Sequence, residues 1–162
     1  MSVTEQSIDF TTKQRGYAEL AQALAGLLTG ERDLIANAAN TVALLFGALP
    51  SINWAGFYLA RGRELIVGPF QGKPACVRIA FGSGVCGRAA ADCQTIIVPD
   101  VHAFPGHIAC DAASRSEIVV PLMRDGKLVG VLDVDSPDLA RFDQTDRAGL
   151  ERIAEIFLAA SD

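Results

Sequence analysis

The sequence has no apolar run near the roughly 20 residues that a helix needs to cross a bilayer. It also has no surplus of basic charge. Fourteen Lys and Arg face nineteen Asp and Glu, a formal net charge of −5 at pH 7, so the basic footprint that binds phosphate backbones is missing and nucleic acid is excluded as a partner. Met1 to Phe10 has neither a basic n-region nor an apolar h-region, so a cytoplasmic protein without a membrane segment is expected. Histidine is scarce, with only His102 and His107, both in a Pro/Gly-rich loop and without partners at helical spacing. Cys76, Cys86, Cys93 and Cys110 contain no C-x-x-C or C-x-x-x-x-C pair, which argues against zinc. In a reducing compartment four cysteines suggest redox chemistry, metal binding or plain burial rather than a structural disulfide framework.

What is present reads as one globular domain over residues 1–162. Half of the residues are apolar and a fifth are charged, and the length suffices for a single buried core. Apolar side chains recur at Tyr17, Leu20, Ala21, Leu24, Leu27 and Leu28, predicting a helix over Thr12–Leu28 that Gly30 ends. A second helix is predicted over Glu31–Leu49, closed by Pro50, completing a helical segment 12–49. Residues 52–136 then read as sheet and loops. Asn53–Ala60 and Glu64–Gly68 form a hairpin about Arg61-Gly62-Arg63, and Val77–Phe81 and Thr95–Val98 are short strands. A short helix over Ser83–Asp92 is entered through Gly82 and Gly84. Glu117–Met123 and Lys127–Asp135 are the last strands, and Asp143 caps a helix over 143–160. The class is α+β, a central antiparallel sheet of about six strands with helices on its faces.

Alternation along Leu128–Asp135 places Val129, Val131, Asp133 and Asp135 on one face and Leu128, Leu132 and Val134 on the other. Carboxylates on an apolar face are costly unless they reach a solvated rim or face a polar ligand. A three-residue loop Arg124-Asp125-Gly126 with Gly126 left-handed is predicted, and it would set Glu117 opposite Asp133.

All four cysteines lie within Phe70–Pro121. Cys110 precedes Asp111-Ala-Ala-Ser-Arg115, read as the first turn of a short helix whose N-terminus, with Arg115, would favour the thiolate. Cys93 lies seven residues after Cys86, two helical turns, and is read as incidental burial on a shared face.

The runs NWAGFYL, LIVGPFQGKPAC, RIAFGSGVCGRAA, VPDVHAFPGHIACDAASRSEIVVP, DGKLVGVLDVDSP and FDQTD resemble free methionine-(R)-sulfoxide reductases, enzymes of GAF fold. The resemblance implies a single GAF-like domain and thiol-dependent reduction of free methionine-(R)-sulfoxide. Cys110 would be the nucleophile, Cys76 the resolving cysteine and Cys86 an alternative resolver. Trp54 and Tyr58 would wall the substrate methyl group, and Glu117, Asp133 and Asp135 would bind and polarise the substrate. No metal or bound cofactor is implied. An external dithiol such as thioredoxin would reduce the disulfide, and the loop carrying Cys76 is expected to be mobile. A homodimer through the terminal helices is a further expectation. The alternative is a non-catalytic GAF sensor of small molecules. A chromophore-binding domain of that kind would present a Cys-His pair, where this sequence has Cys110-Asp111.

Overall fold

The computed structural model describes residues 7–108 and 110–162; the first six residues and Ala109 of the GHIACD run lie outside it. Helix α1 (Lys13–Leu27) begins where the Thr12 hydroxyl accepts the Arg15 amide, and it buries Tyr17, Leu20 and Leu24. Helix α2 (Leu34–Ala48) starts three residues later than the apolar pattern suggested. Asp33 is the cap, its carboxylate accepting the Ala36 amide at 2.8 Å, so Glu31 and Arg32 belong to the connection. The following strands are β1 (Trp54–Arg61), β2 (Glu64–Gln71) and β3 (Arg78–Ala80). Then come helix α3 (Gly84–Asp92), strand β4 (Ile96–Val98), a 3-10 turn at Val101–Ala103, strands β5 (Ser116–Arg124) and β6 (Lys127–Ser136), and helix α4 (Gln144–Ala160). Asp143 and Asp146 form a capping box at the start of α4.

The six strands make one antiparallel sheet in the order β3-β2-β1-β6-β5-β4. One face packs on α1, α2 and α4 through Leu20, Leu45, Phe57, Ile118, Leu132, Val134, Leu150 and Phe157. The opposite face carries a smaller apolar cluster, with Trp54, Tyr58, Val119 and Val131 against Val85, Cys86 and Ala89 of α3.

The β5–β6 hairpin departs from the expected register. Arg124 pairs with Lys127, so the loop is the two-residue Asp125-Gly126, with φ of 50° and 74°. Positive φ at both positions fits the twist of the flanking strands. By itself this loop would turn Glu117 to the helix-covered face. A bulge corrects the phase: Met123 pairs with Leu128 but Leu122 with Gly130, leaving Val129 as the extra residue. Glu117 therefore lies opposite Asp135, with Val119 opposite Asp133. Leu128 and Val129 exchange the faces that strict alternation assigns them. Leu128 packs with the Val131 cluster and Val129 with Leu132 and Val134.

Candidate active site

Strands β3 and β4 are the two sheet edges, about 24 Å apart at ordinary strand spacing. Cys76 lies just before the first and Cys110 in the loop after the second. Both loops fold inward, and the two cysteines are joined by a disulfide with a Cα–Cα distance of 5.7 Å. The bridge borders a cavity of about 40 Å³ lined by Trp54, Tyr58, Ser83–Cys86, Glu117, Asp133 and Asp135 among others. The residues that the resemblance assigned to the site, Trp54, Tyr58, Cys76, Cys86, Cys110, Glu117, Asp133 and Asp135, are thus brought to one place.

Three acids occupy the floor. Glu117 and Asp133 are only 6% and 5% exposed, while Asp135 keeps partial contact with solvent. Burial pushes the Glu117 carboxyl well above its usual range, and the charges of Asp133 and Asp135 push it further. Asp135 moves the same way through burial, then the charges of Asp133 and Asp111. Asp133 rises to about 6, with burial the dominant cause and hydrogen bonding to Cys86 and Glu117 opposing it. Crowded carboxyl groups of this kind resist ionising together, so the cluster keeps protons to higher pH than ordinary carboxyl groups do. Asp133 lines the cavity, and its Oδ1 is buried without a hydrogen-bond partner among the described residues.

The walls are aromatic. Trp54 stacks on Phe70 at 5.3 Å and on Tyr58 at 5.9 Å between centroids. Gly56 leaves room for this: a Cβ there would stand 2.3 Å from the indole. The indole N–H donates to the Lys73 carbonyl at 3.1 Å, and the Tyr58 hydroxyl to the Cys76 carbonyl at 3.2 Å. The Tyr58 hydroxyl is held protonated by burial and then by the charges of Asp133, Cys86, Asp135 and Glu117. At the other wall α3 begins at Gly84, where Ser83–Cys86 line the cavity and the Ser83 side chain makes no cap, so first-turn N–H groups without a side-chain cap lie beside the cavity.

Cys86 is a free thiol in α3, 5% exposed and 3.8 Å from Glu117 Oε1. Burial and then the charges of Asp133, Glu117 and Asp135 push it well above its ordinary range, so it is a poor nucleophile as placed. Cys86, Glu117 and Asp133 bring one sulfur and two carboxylate oxygens within 4.8 Å of one another, the one such group among the described residues that could hold a metal.

Two expectations are corrected. Asp111–Arg115 is a turn and not a helix. The Asp111 carboxylate accepts the Ala113 amide and its carbonyl the Ser114 amide, so the chain does not enter a helix directly after Cys110, and Arg115 is exposed to solvent. Cys93 is exposed, not buried; it ends α3 in a left-handed conformation (φ 51°) and shares no face with Cys86. His107 lines the cavity and its ring is held below the ordinary histidine range by burial and then by His102. Sequence reasoning passed over Asn53, Lys73, Asp111 and Ser114. Asn53 Nδ2 donates to Asp111 Oδ2 and Ser114 Oγ, both at 3.1 Å, and Lys73 lies 3.9 Å from Asp111. The signal for Asn53 is an amide immediately before an aromatic strand, where nothing in the strand itself needs it.

A six-stranded antiparallel sheet with helices on both faces and a side-chain-lined cavity on the less covered one defines a GAF domain, and the GAF domain profile matches residues 29–160. The free methionine-R-sulfoxide reductase of Escherichia coli is 50% identical over 153 residues, covering 93% of each chain. The free methionine-R-sulfoxide reductase of Neisseria meningitidis, solved in complex with its substrate, superposes with a TM-score of 0.91 at 46% identity, covering 94% of this chain and 92% of its own. A candidate GAF sensor protein of Burkholderia vietnamiensis is 61% identical with a TM-score of 0.90, covering 93% and 96%. The chain belongs to the free methionine-(R)-sulfoxide reductase family of GAF domains.

Proposed function

We propose that this chain reduces free methionine-(R)-sulfoxide to methionine, with Cys110 as nucleophile and Cys76 as resolving cysteine. The observation that carries the reading is the Cys76–Cys110 disulfide beside a buried, proton-holding acid cluster. The substrate is a small zwitterion with a polar S=O on a short apolar stem. Trp54 and Tyr58 suit its methyl group, and an ionised member of the Glu117, Asp133 and Asp135 set suits its ammonium. First-turn N–H groups of α3 suit its carboxylate.

In the first step the Cys110 thiolate attacks the sulfoxide sulfur while a protonated acid of the cluster gives its proton to the oxygen. The oxygen passes to sulfur, methionine leaves, and Cys110 becomes a sulfenic acid. The Cys76 thiol then displaces that oxygen as water, forming the disulfide. A dithiol such as thioredoxin returns both thiols by exchange. The balance is one sulfoxide and two thiols to one thioether, one disulfide and one water. Cys86, held by Glu117, is the second-choice resolver.

The test is turnover. With dithiothreitol or thioredoxin the protein should convert the free (R)-sulfoxide to methionine, and Cys110→Ser should abolish it. Binding of the sulfoxide without any methionine formed would mark a sensor instead.

A further inference from the structure

We infer that the start of β1 acts as a single brace that fixes both disulfide-forming loops, with Asn53 and Tyr58 as positioning residues for closure of the Cys76–Cys110 bond. The two cysteines are 34 residues apart and belong to loops from opposite sheet edges. Neither loop can rely on the other to find its place, because the entropy of closing a ring of that size opposes their meeting. Residues on one short piece of chain reach both. Asn53 holds the Cys110 loop through Asp111, the next residue, and through Ser114. Trp54 and Tyr58 hold the Cys76 loop through the carbonyls of Lys73 and of Cys76 itself. Gly72 lets that loop pass close: a Cβ there would stand 2.7 Å from the Asn53 carbonyl and from the Trp54 ring.

The brace is itself tied to the sheet centre. The Asn53 amide donates to the Asp135 carbonyl at 3.0 Å, and Trp54 pairs with Asp135. A carbonyl can only accept, so Tyr58 donates to Cys76 and sets the backbone of the reacting residue directly. The Lys73–Asp111 pair adds a direct tie between the two loops, weakened by the exposure of the Lys73 side chain. Holding both loops raises the effective concentration of one sulfur at the other. This role differs from walling the substrate, and the step it serves rests on the function proposed above.

The experiment follows the protein's own disulfide without substrate. Full-length protein is equilibrated with dithiothreitol redox buffers, quenched by thiol alkylation and read by mass. Asn53→Ala and Tyr58→Phe should each lower the equilibrium constant for the Cys76–Cys110 disulfide about fivefold, the worth of a net hydrogen bond. Because they act on different loops, the double variant should show about 25-fold. Tyr17→Phe, which weakens the fold on the opposite face of the sheet, should leave the constant at the wild-type value. Constants for both brace variants equal to wild type, or an equal fall in Tyr17→Phe, would overturn the inference. Either result leaves the reductase reading to stand or fall on methionine formation.

Discussion

Replacing Asp133 by Asn should stabilise the protein increasingly as pH rises from about 4, and fully at neutral and higher pH. The Asp133 carboxyl is buried, and its pKa of about 6 lies above the ordinary 3.8. Between these two values the folded chain binds more protons than the unfolded one, so stability falls as pH rises through that window. Its stabilising proton is fully in place below pH 3.8 and is lost as pH passes about 6. The gap corresponds to roughly 3 kcal/mol, which for a chain of this size is about 6–12 °C in melting temperature. Asn has the same shape and carries no charge, so its variant escapes the loss.

Urea unfolding of the oxidised protein at several pH values is the assay. The two proteins should coincide near pH 4, and the variant should lead by up to about 3 kcal/mol at pH 8. Turnover should fall in the same variant, the usual exchange of stability for a strained site. A difference that stays flat with pH, or a variant less stable than wild type at pH 8, would refute the argument that desolvation of this carboxyl dominates.

Cys93→Ser should leave turnover and the mapped disulfide unchanged, since Cys93 is exposed at the far end of α3; any change in the disulfide mass map would contradict this. Asp146→Asn should cost about 3–5 kcal/mol in urea unfolding at pH 7. Asp146 is wholly buried and bonds the Tyr17 hydroxyl and Arg141 Nη1 at 2.9 Å each, together with the Lys13 ammonium, and the substitution strands the buried Arg141 charge. Gly87→Ala should destabilise by about 1–3 kcal/mol, because its Cβ would lie 2.3 Å from the Ala80 carbonyl oxygen. Gly47→Ala in α2 meets nothing within 4 Å and should raise stability by about 0.5–1 kcal/mol, so thermal melts of the pair separate crowding from propensity.

The helices were legible because their signals are local: an apolar stripe such as Tyr17, Leu20 and Leu24, and a cap such as Asp143. Strand positions were legible too, down to the face that carries Asp133 and Asp135. The β5–β6 register was not. Asp125-Gly126 is the strongest two-residue turn signal in the chain, and taken at face value it sends Glu117 to the wrong side. Only a compensating bulge reconciles that turn with the apolar phase of both strands, and Val129 offers no local mark of one. A three-residue loop solved the same conflict on paper and gave the right face with the wrong partner. The meeting of Cys76 and Cys110 was equally invisible to spacing, since it depends on two loops arriving from opposite edges. The motif resemblance supplied that pair, while the Asn53 contacts that hold the second loop followed from neither.

The site divides its demands between the rigid and the loosely held parts of the sheet. Strand β6 is paired on both sides, by β1 and β5, and its Leu132 and Val134 are fully buried in the core that includes the stacked Phe57 and Phe157. That dry face stabilises the strand whose other face carries the acids. A cost of roughly 3 kcal/mol at Asp133 alone is a large part of a typical domain's net stability, and a frayed strand would relieve it by letting water in. The cysteines have the opposite requirement. In the proposed cycle the disulfide forms and is reduced, so its loops must separate; Cys76 adjoins the three-residue edge strand β3, and Cys110 lies in the long loop that leaves the other three-residue edge strand, β4, where few ladder bonds must break for a loop to open. Acids at the centre and thiols in loops from the edges is therefore an arrangement that suits the proposed chemistry, in which the carboxyl groups stay desolvated while the sulfurs separate and meet.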